Sequence, residues 1–275
     1  MPARYPERIV CLTEESTETL YLLGEERRIA SISGYTVRPA RARKEKPRVS
    51  AFLSAKNEKI LELKPDLVIG FSDLQADIAR DLTKAGLNVL IFNQRSVQEI
   101  LDMILALASL VGAADKGAVL VHRLEMGLQE IRGKTKAFPR RPRVYFEEWD
   151  EPMISGIRWV SELVEIAGGE DIFSHLSRSQ AATGRIVSDA KLVIEKNPEV
   201  ILGSWCGKKF RPERVASRPG WGAISAVREN QLFEIKSADI LQPGPAALTD
   251  GVRHIHEILR RSLDRASEIR PRAGG

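Results

Sequence analysis

The chain has 275 residues, of which 43% are hydrophobic and 29% are charged, and 42 basic residues against 37 acidic ones give a net charge of +5. This is the composition of an ordinary soluble protein that is long enough for two cores, and it excludes a disordered or disulfide-dominated chain. Cys11 and Cys206 fall in different halves of the chain and are predicted to be free thiols. The longest apolar segment, residues 100–111, is too short to span a membrane and contains Asp102, so we expect no membrane insertion.

The hydrophobic pattern predicts strands that alternate with helices along the whole chain. In chain order we expect strand 8–11, helix 15–23, strand 28–33, helix 58–64, strand 67–70, helix 73–85, strand 88–92, helices 100–111 and 114–136, strand 143–146, helix 159–167, helix 191–197, strand 200–203, helix 219–228, strand 232–235 and helix 246–264. Such alternation is typical of open parallel sheets with right-handed crossovers.

The N-terminus predicts a cytoplasmic protein. The first strand begins at Arg8, and residues 1–6 lack the basic region, apolar region and small-residue cleavage site of a secretory signal peptide. The sequence as written is therefore expected to stay in the cytoplasm, with the periplasm as the alternative if its start is misassigned.

A basic run occupies residues 38–44 and continues with Lys46 and Arg48. Such a run could attract an anion or a nucleic acid. It has no interleaved aromatic residues for base stacking, however, and Pro39 and Pro47 argue against a helix that reads a DNA groove. We therefore interpret it as a solvated loop and expect no nucleic-acid partner.

Two segments of the chain repeat each other at an offset of 133 residues. In each, a short amphipathic helix ends before a proline, a four-residue apolar strand follows, and a glycine opens the next loop. The matching pairs are Glu62 and Glu195, Pro65 and Pro198, Asp66 and Glu199, and Gly70 and Gly203.

The starts of the two halves also match. Residues 8–11 resemble residues 143–146, and each strand is followed by an acidic loop and by a helix that ends at glycine, at Gly24 in the first half and at Gly168 in the second. Two matches in the same order predict a duplicated α/β unit.

The predicted fold class is α/β, with two doubly wound parallel-sheet lobes joined by a single long backbone helix. The expected division is an N-terminal lobe at 1–95, linking helices at 96–138 and a C-terminal lobe at 139–275. A helix over residues 114–136 would be roughly 33 Å long, at a rise of 1.5 Å per residue.

Ligands of open parallel sheets bind beyond the carboxyl ends of the strands. If the lobes face each other, the loops at those ends line one cleft, and these loops contain Tyr35, Phe71, Phe92, Trp149 and Trp205. Large flat side chains suit a bulky, flat ligand. The alternative is that these rings cap the sheet edges as part of the cores.

Several blocks resemble the class III periplasmic binding proteins of ABC transporters, of the cobalamin and iron-chelate type, and most of all the cobalamin-binding members. The blocks are residues 58–71 and 82–89 in the first half, and 159–169, 218–227 and Asn230 in the second. The resemblance covers roughly residues 8–262. It implies a captured metal chelate (cobalamin, a ferric siderophore or haem), no intrinsic cofactor, and delivery to an ABC permease.

The resemblance also implies roles for single residues. Phe71 matches an aromatic that packs against a corrin, Tyr35 falls in a ligand-contacting loop, and Asp77 and Asp189 match the acids that dock on the permease. The full candidate ligand-binding set is Tyr35, Arg38, Phe71, Ser72, Trp149, Trp205, Cys206 and Gln242. The sequence departs from the family in lacking an export signal, in having Ala246 where members often have arginine, and in placing a thiol, Cys206, in a binding loop.

Two other functions stay open at this point. Glu147, Glu148 and Asp150 cluster around Trp149, and paired acids can serve acid/base chemistry. No metal-hydrolase motif, phosphate loop or nucleophile elbow occurs, however, so we expect no enzyme and no metal site. A cytoplasmic chaperone or sensor for the same chelate is the other alternative, and it would account for the missing signal.

Overall fold

The computed structural model describes residues 5–52 and 54–269, and the ends of the two predicted lobes, residues 1–4 and 270–275, lie outside them. The chain divides into two compact units. The first comprises Met1–Gln94, Gln98–Glu125 and Gln242–Pro245, and the second comprises Arg95–Val97, Met126–Leu241 and Ala246–Gly275. The sequence-based division at residues 95 and 138 remains a prediction.

The first unit is built on a six-stranded sheet in the order β4-β3-β2-β1-β5-β6. Its strands are β1 (Ile9–Cys11), β2 (Ile29–Ser33), β3 (Arg48–Ala51), β4 (Ser54–Ala55), β5 (Leu67–Phe71) and β6 (Val89–Phe92). Its helices are α1 (Glu14–Leu22), α2 (Ala42–Glu45), α3 (Asn57–Glu62), α4 (Ala76–Lys84) and most of α5 (Val97–Leu110). All pairings are parallel except that of β3 with β4.

The second unit is built on a five-stranded sheet in the order β11-β10-β7-β8, with β9 also paired to β7. After α6 (Ala114–Thr135), its strands are β7 (Arg143–Asp150), β8 (Met153–Ser155), β9 (Glu170–Asp171), β10 (Val200–Gly203) and β11 (Leu232–Glu234). Its helices are α7 (Arg158–Ile166), α8 (Ala190–Lys196), α9 (Pro212–Ala216), α10 (Ser225–Arg228), α11 (Ser237–Ile240) and α12 (Val252–Ile269). Only β8 runs antiparallel to its neighbour.

The predicted α/β class with two parallel-dominated lobes is confirmed, and the repeat is visible in the backbone. Leu67 of β5 pairs with Ile9 of β1, as Val200 of β10 pairs with Val144 of β7. The residue before each repeated proline, Lys64 or Asn197, has a positive φ of 45° or 43°. This left-handed residue turns the chain out of the short helix and into the buried strand.

The helix predicted over 114–136 is α6, and the boundary between the two units, at Glu125 and Met126, falls within it. Among the residues that the structure describes, no helix is long and apolar enough to cross a membrane.

The main difference from the predicted elements lies after β7. The predicted strand 143–146 was expected to lead into an acidic loop, but β7 continues to Asp150 and turns back into β8. The sequence did not predict this part of the strand, because a run of acidic residues is typical of a solvated loop. In the fold, Glu147, Glu148 and Asp150 are each paired with a cation. The two helices predicted at 73–85 and 219–228 are also shorter, since each begins with a separate 3-10 turn.

Candidate functional site

The first unit places an acidic segment at the carboxyl end of β1, where α1 begins. Glu14 and Glu15 are only 4% and 3% exposed. The Thr13 hydroxyl donates to Glu15 Oε1 at 2.6 Å, and backbone N–H groups of Val37 and Arg38 donate to the Glu14 carboxyl. One oxygen of each carboxyl, Glu14 Oε1 and Glu15 Oε2, has no hydrogen-bond partner within the described residues.

Burial raises the pKa of Glu14 to about 8 and that of Glu15 to about 7, because a carboxylate loses its hydration inside the protein. The neighbouring Glu18 carboxylate raises both further by repulsion. Glu18 itself is paired with Arg38, whose Nε lies 3.1 Å from Glu18 Oε1. Near neutral pH this edge of the first sheet therefore holds a largely protonated Glu14 and a partly protonated Glu15, beside the ion pair of Glu18 with Arg38.

The loops after β2 and β5 place the other candidates of the first unit. Tyr35 is 61% exposed, and Arg38 lines a cavity of about 530 Å³ together with Glu18 and Tyr21. Phe71 and Ser72 are buried. The Ser72 hydroxyl accepts from Leu74 N at 3.2 Å, while Gln75 Oε1 accepts from Phe71 N at 2.9 Å. Tyr35 and Arg38 are thus open to a ligand, whereas Phe71 and Ser72 shape the turn into α4.

Gln242 is half-buried, and the segment that it opens, Gln242–Pro245, belongs to the first unit. The Gln94 side chain donates to Pro243 O at 3.0 Å. A Cβ on Gly244 would lie 2.5 Å from the Cβ of Glu15, so this segment packs directly on the acidic start of α1.

The second unit has an acidic segment at the equivalent place, the end of β7, but each of its carboxylates has a cation. Glu147 is fully buried and forms two bonds to Arg218, at 2.5 and 2.9 Å. It also accepts from the Tyr145 hydroxyl at 3.0 Å and from the Trp205 indole at 3.1 Å. These four contacts offset much of the cost of burying the charge.

Glu148 and Asp150 complete the series. Arg185, which is buried, donates to both oxygens of Glu148 at 2.5 and 3.0 Å. Asp150 contacts the Lys208 ammonium, and Arg214 lies 3.7 Å away. Burial by itself would raise the pKa of Asp150, but these two cations lower it below its ordinary value. An acid held in this way stays ionised and is poorly suited to take up protons near neutral pH.

Two tryptophans and a lysine meet beside these acids. Trp149 is half-buried and its indole donates to Glu151 O at 2.8 Å. Trp205 is 3% exposed and packs edge-on against Phe210, with ring centroids 5.0 Å apart. The Lys208 ammonium lies 4.0 Å from the centroid of Trp149 and 5.1 Å from that of Trp205.

Trp149 and Trp205, which the sequence analysis assigned to the same ligand-binding set, therefore have different roles in the second unit. Trp149 presents ring surface, whereas Trp205 belongs to the core and supports Glu147 and Lys208. Cys206 is exposed and Cys11 is buried, and both are free thiols. In the described parts of the chain, no group of three or more His, Cys, Asp or Glu side chains could hold a metal ion.

Sequence reasoning missed Glu14, Glu15 and Lys208. Glu14 and Glu15 form an acidic start to the first helix, but their spacing does not indicate that they are buried. Lys208 could have been found from its place, because it lies three positions after Trp205 and follows the same strand end.

The two candidate docking acids lie on exposed helix starts. The Asp77 side chain is 84% exposed in the first turn of α4, and Arg80 lies 2.7 Å away. Asp189 caps α8 in the second unit, where its Oδ1 accepts from Lys191 N at 2.8 Å.

Residues 9–238 match the family described as periplasmic binding protein. The vitamin B12-binding protein of Vibrio cholerae is 28% identical over 92% of this chain and 89% of its own length. An uncharacterized ABC transporter substrate-binding lipoprotein of Bacillus subtilis, YvrC, is 24% identical over 92% of this chain and 79% of its own. The periplasmic haem-binding protein RhuT from Roseiflexus sp. RS-1 has the same fold, with a TM-score of 0.75, 22% identity and coverage of 92% and 99%.

The predicted cytoplasmic location is wrong. The matched family is periplasmic, and the Bacillus relative is a lipoprotein, so the comparisons point to a location outside the cytoplasm. The error has a physical cause, since a short targeting segment carries the cellular address and the folded lobes do not need it.

The predicted resemblance, in contrast, is confirmed. The match extends over well more than half of the 275 residues and spans both units of the fold. The chain belongs to the periplasmic binding protein family, whose members are substrate-binding proteins.

Proposed function

We propose that this protein captures a cobalamin-like corrinoid, or a related metal chelate such as haem or a ferric siderophore, for import by an ABC transporter. The observation that carries this proposal is the 28% identity to a vitamin B12-binding protein over nearly the whole chain. The ligand contacts loops at the carboxyl edges of the sheets, the place where open parallel sheets bind their ligands.

The protein binds this ligand without transforming it. Glu147, Glu148 and Asp150, the acids considered for catalysis, are each bonded to an arginine or lysine. Ion pairs of this kind stiffen the hairpin that carries Trp149, and they do not leave a general base at the site. Affinity comes from buried ring surface on Tyr35 and Trp149, with polar contacts from Arg38 and Gln242 around the periphery.

Direct titration tests the proposal. Purified protein is titrated with cyanocobalamin, cobinamide, haem and a ferric siderophore, and binding is followed by tryptophan fluorescence and calorimetry. We expect at least one chelate to bind well below roughly 100 μM, in the range of specific ligand recognition. If none does, the proposed function is wrong.

The variants Tyr35→Ala and Trp149→Ala test whether these two rings contact the ligand. Each should weaken binding of that chelate by about tenfold, since a lost stacking ring removes on the order of 1 kcal/mol or more. Val119→Ala is the matched control, because Val119 is 70% exposed on α6 and belongs to none of the loops that follow the strands. Equal affinities in all three variants would contradict the placement of the site.

Asp77 and Asp189 dock the loaded protein on basic residues of the permease. Asp77→Asn with Asp189→Asn should leave chelate binding and stability unchanged, because asparagine can cap α8 in place of Asp189 and Asp77 makes only an exposed ion pair. Uptake by cells that carry the permease should fall severely. Normal uptake by the double variant would remove these residues from the docking surface.

A further inference from the structure

The ring face of Trp149 is covered by a cation from its own chain. The Lys208 ammonium lies 4.0 Å from the Trp149 centroid, within the range of a cation–π contact. The same ammonium contacts the Asp150 carboxylate at the end of β7. A flat ligand that stacks on this face of Trp149 must therefore either displace Lys208 or bind against it.

The surroundings of Lys208 have more positive than negative charge. Asp150 is shared between Lys208 and Arg214, so two cations face one carboxylate. A cavity of about 280 Å³ lies alongside, and Lys208, Lys209 and Lys236 line it together with Glu234. Glu234 already accepts the Phe210 N–H at 3.0 Å. Within the described residues, neither Lys209 nor Lys236 has an acidic side chain within 4 Å.

A ligand with neutral peripheral groups and a ligand with peripheral carboxylates should bind beside Lys208 with different affinities. A neutral ligand that displaces the ammonium breaks its contacts with Trp149 and Asp150 and offers no charge in return. A ligand with a carboxylate at its rim gives Lys208 a new partner and brings a negative charge to the surplus lysines. Removal from water strengthens such a pair.

We propose that Lys208 is a specificity-determining residue that selects flat metal chelates with peripheral carboxylates over chelates with neutral peripheral groups. This inference rests on the proposed function and narrows its ligand class to chelates with peripheral carboxylates, such as haem, in preference to corrinoids whose periphery carries neutral amides. The carboxylate binds the Lys208 ammonium at the rim of Trp149, with Lys209 and Lys236 as the next cations along the cavity.

The test compares two ligands that share one ring. Haem has two carboxylates, and its dimethyl ester presents the same ring without them. Both are titrated, with tryptophan fluorescence as the readout, into the full-length wild type, Lys208→Met, Lys208→Arg and the control Lys191→Met on the exposed face of α8. Far-ultraviolet circular dichroism and thermal unfolding check that each variant folds.

We expect the wild type to bind the diacid at least tenfold more tightly than the diester. Lys208→Met should reduce this preference to less than threefold, while Lys208→Arg and Lys191→Met keep it. An equal preference in Lys208→Met and the wild type would overturn the inference and leave the proposed function intact. A wild type that binds the diester as tightly as the diacid would overturn it as well. If neither ring nor any corrinoid binds the wild type, the proposed function and this inference fail together.

Discussion

Strands β1 and β7 occupy equivalent places in the two halves of the repeat, and acidic residues directly follow β1 and form the last part of β7. In the first unit, Glu14 and Glu15 are buried without a cationic partner among the described residues, and burial raises the pKa of each. In the second unit, Glu147, Glu148 and Asp150 are each bonded to an arginine or lysine.

The same sequence feature has thus been stabilised in two ways. An acid that folds away from water either takes up a proton or finds a cation, because an isolated buried charge costs too much free energy. The first unit uses the proton, and the second uses guanidinium and ammonium groups. The first edge therefore depends on pH, whereas the second depends on the cations that hold it.

Loss of Arg218 should have the largest effect. Arg218→Met leaves the fully buried Glu147 without its cation, and we expect the free energy of unfolding to fall by about 3–5 kcal/mol, the usual cost of breaking a buried pair. Urea denaturation measures it. Adding Glu147→Gln to this variant should recover much of the loss. A decrease of less than about 1 kcal/mol in the single variant would mean that Tyr145 and Trp205 satisfy Glu147 by themselves.

Alanine at the repeated glycine should cost more stability in the second unit, at Gly203, than in the first unit, at Gly70. A Cβ on Gly203 would lie 1.9 Å from the ring of Phe210, a buried core residue. A Cβ on Gly70 would lie 2.5 Å from Gln75 Oε1 and 2.7 Å from Ile91 Cδ1, which are the ends of two side chains rather than part of a ring. Gly203→Ala should therefore destabilise by roughly 3 kcal/mol and Gly70→Ala by roughly 1 kcal/mol. Thermal unfolding of both variants tests this, and a reversed order would contradict it.

Stability should depend on pH through the first unit. Folded Glu14 and Glu15 release their protons near pH 8 and 7, compared with about 4.5 for a solvated glutamate. The folded state therefore binds more protons than the unfolded state between these values, and the free energy of unfolding falls as pH rises from 5 to 8. We expect a decrease of roughly 1–3 kcal/mol in urea titrations across this window. The Glu14→Gln, Glu15→Gln double variant should flatten the profile, and an equally steep profile in that variant would place the titrating groups elsewhere.

Alanine substitutions at the two candidate docking acids should have the smallest effects on stability. Asp189 caps α8, and Asp189→Ala should cost about 1 kcal/mol of stability. Asp77 makes only an exposed ion pair with Arg80, so Asp77→Ala should change stability by less than about 0.5 kcal/mol. Equal losses in the two variants, measured by thermal unfolding, would contradict the capping role of Asp189.

Much of the fold could be predicted because it depends on local patterns. Apolar runs before Gly70 and Gly203, and prolines that end the preceding helices, are readable one segment at a time. The hairpin from β7 to β8 was missed, since a run of Glu147, Glu148 and Asp150 looks solvated unless Arg185, Lys208 and Arg218 are known to lie beside it. All three cations are distant in sequence.

The sequence by itself determined the repeated α/β architecture, the edges of the sheets where we propose that a ligand binds, and the family to which the chain belongs. Only the tertiary structure decided which side chains at those edges are available. It placed Trp205 in the core, covered Trp149 with Lys208 and buried Glu14 and Glu15 without a cation among the described residues. The physical reason is that periodicity and turn residues act locally, whereas burial and charge pairing depend on groups that only the complete fold brings together.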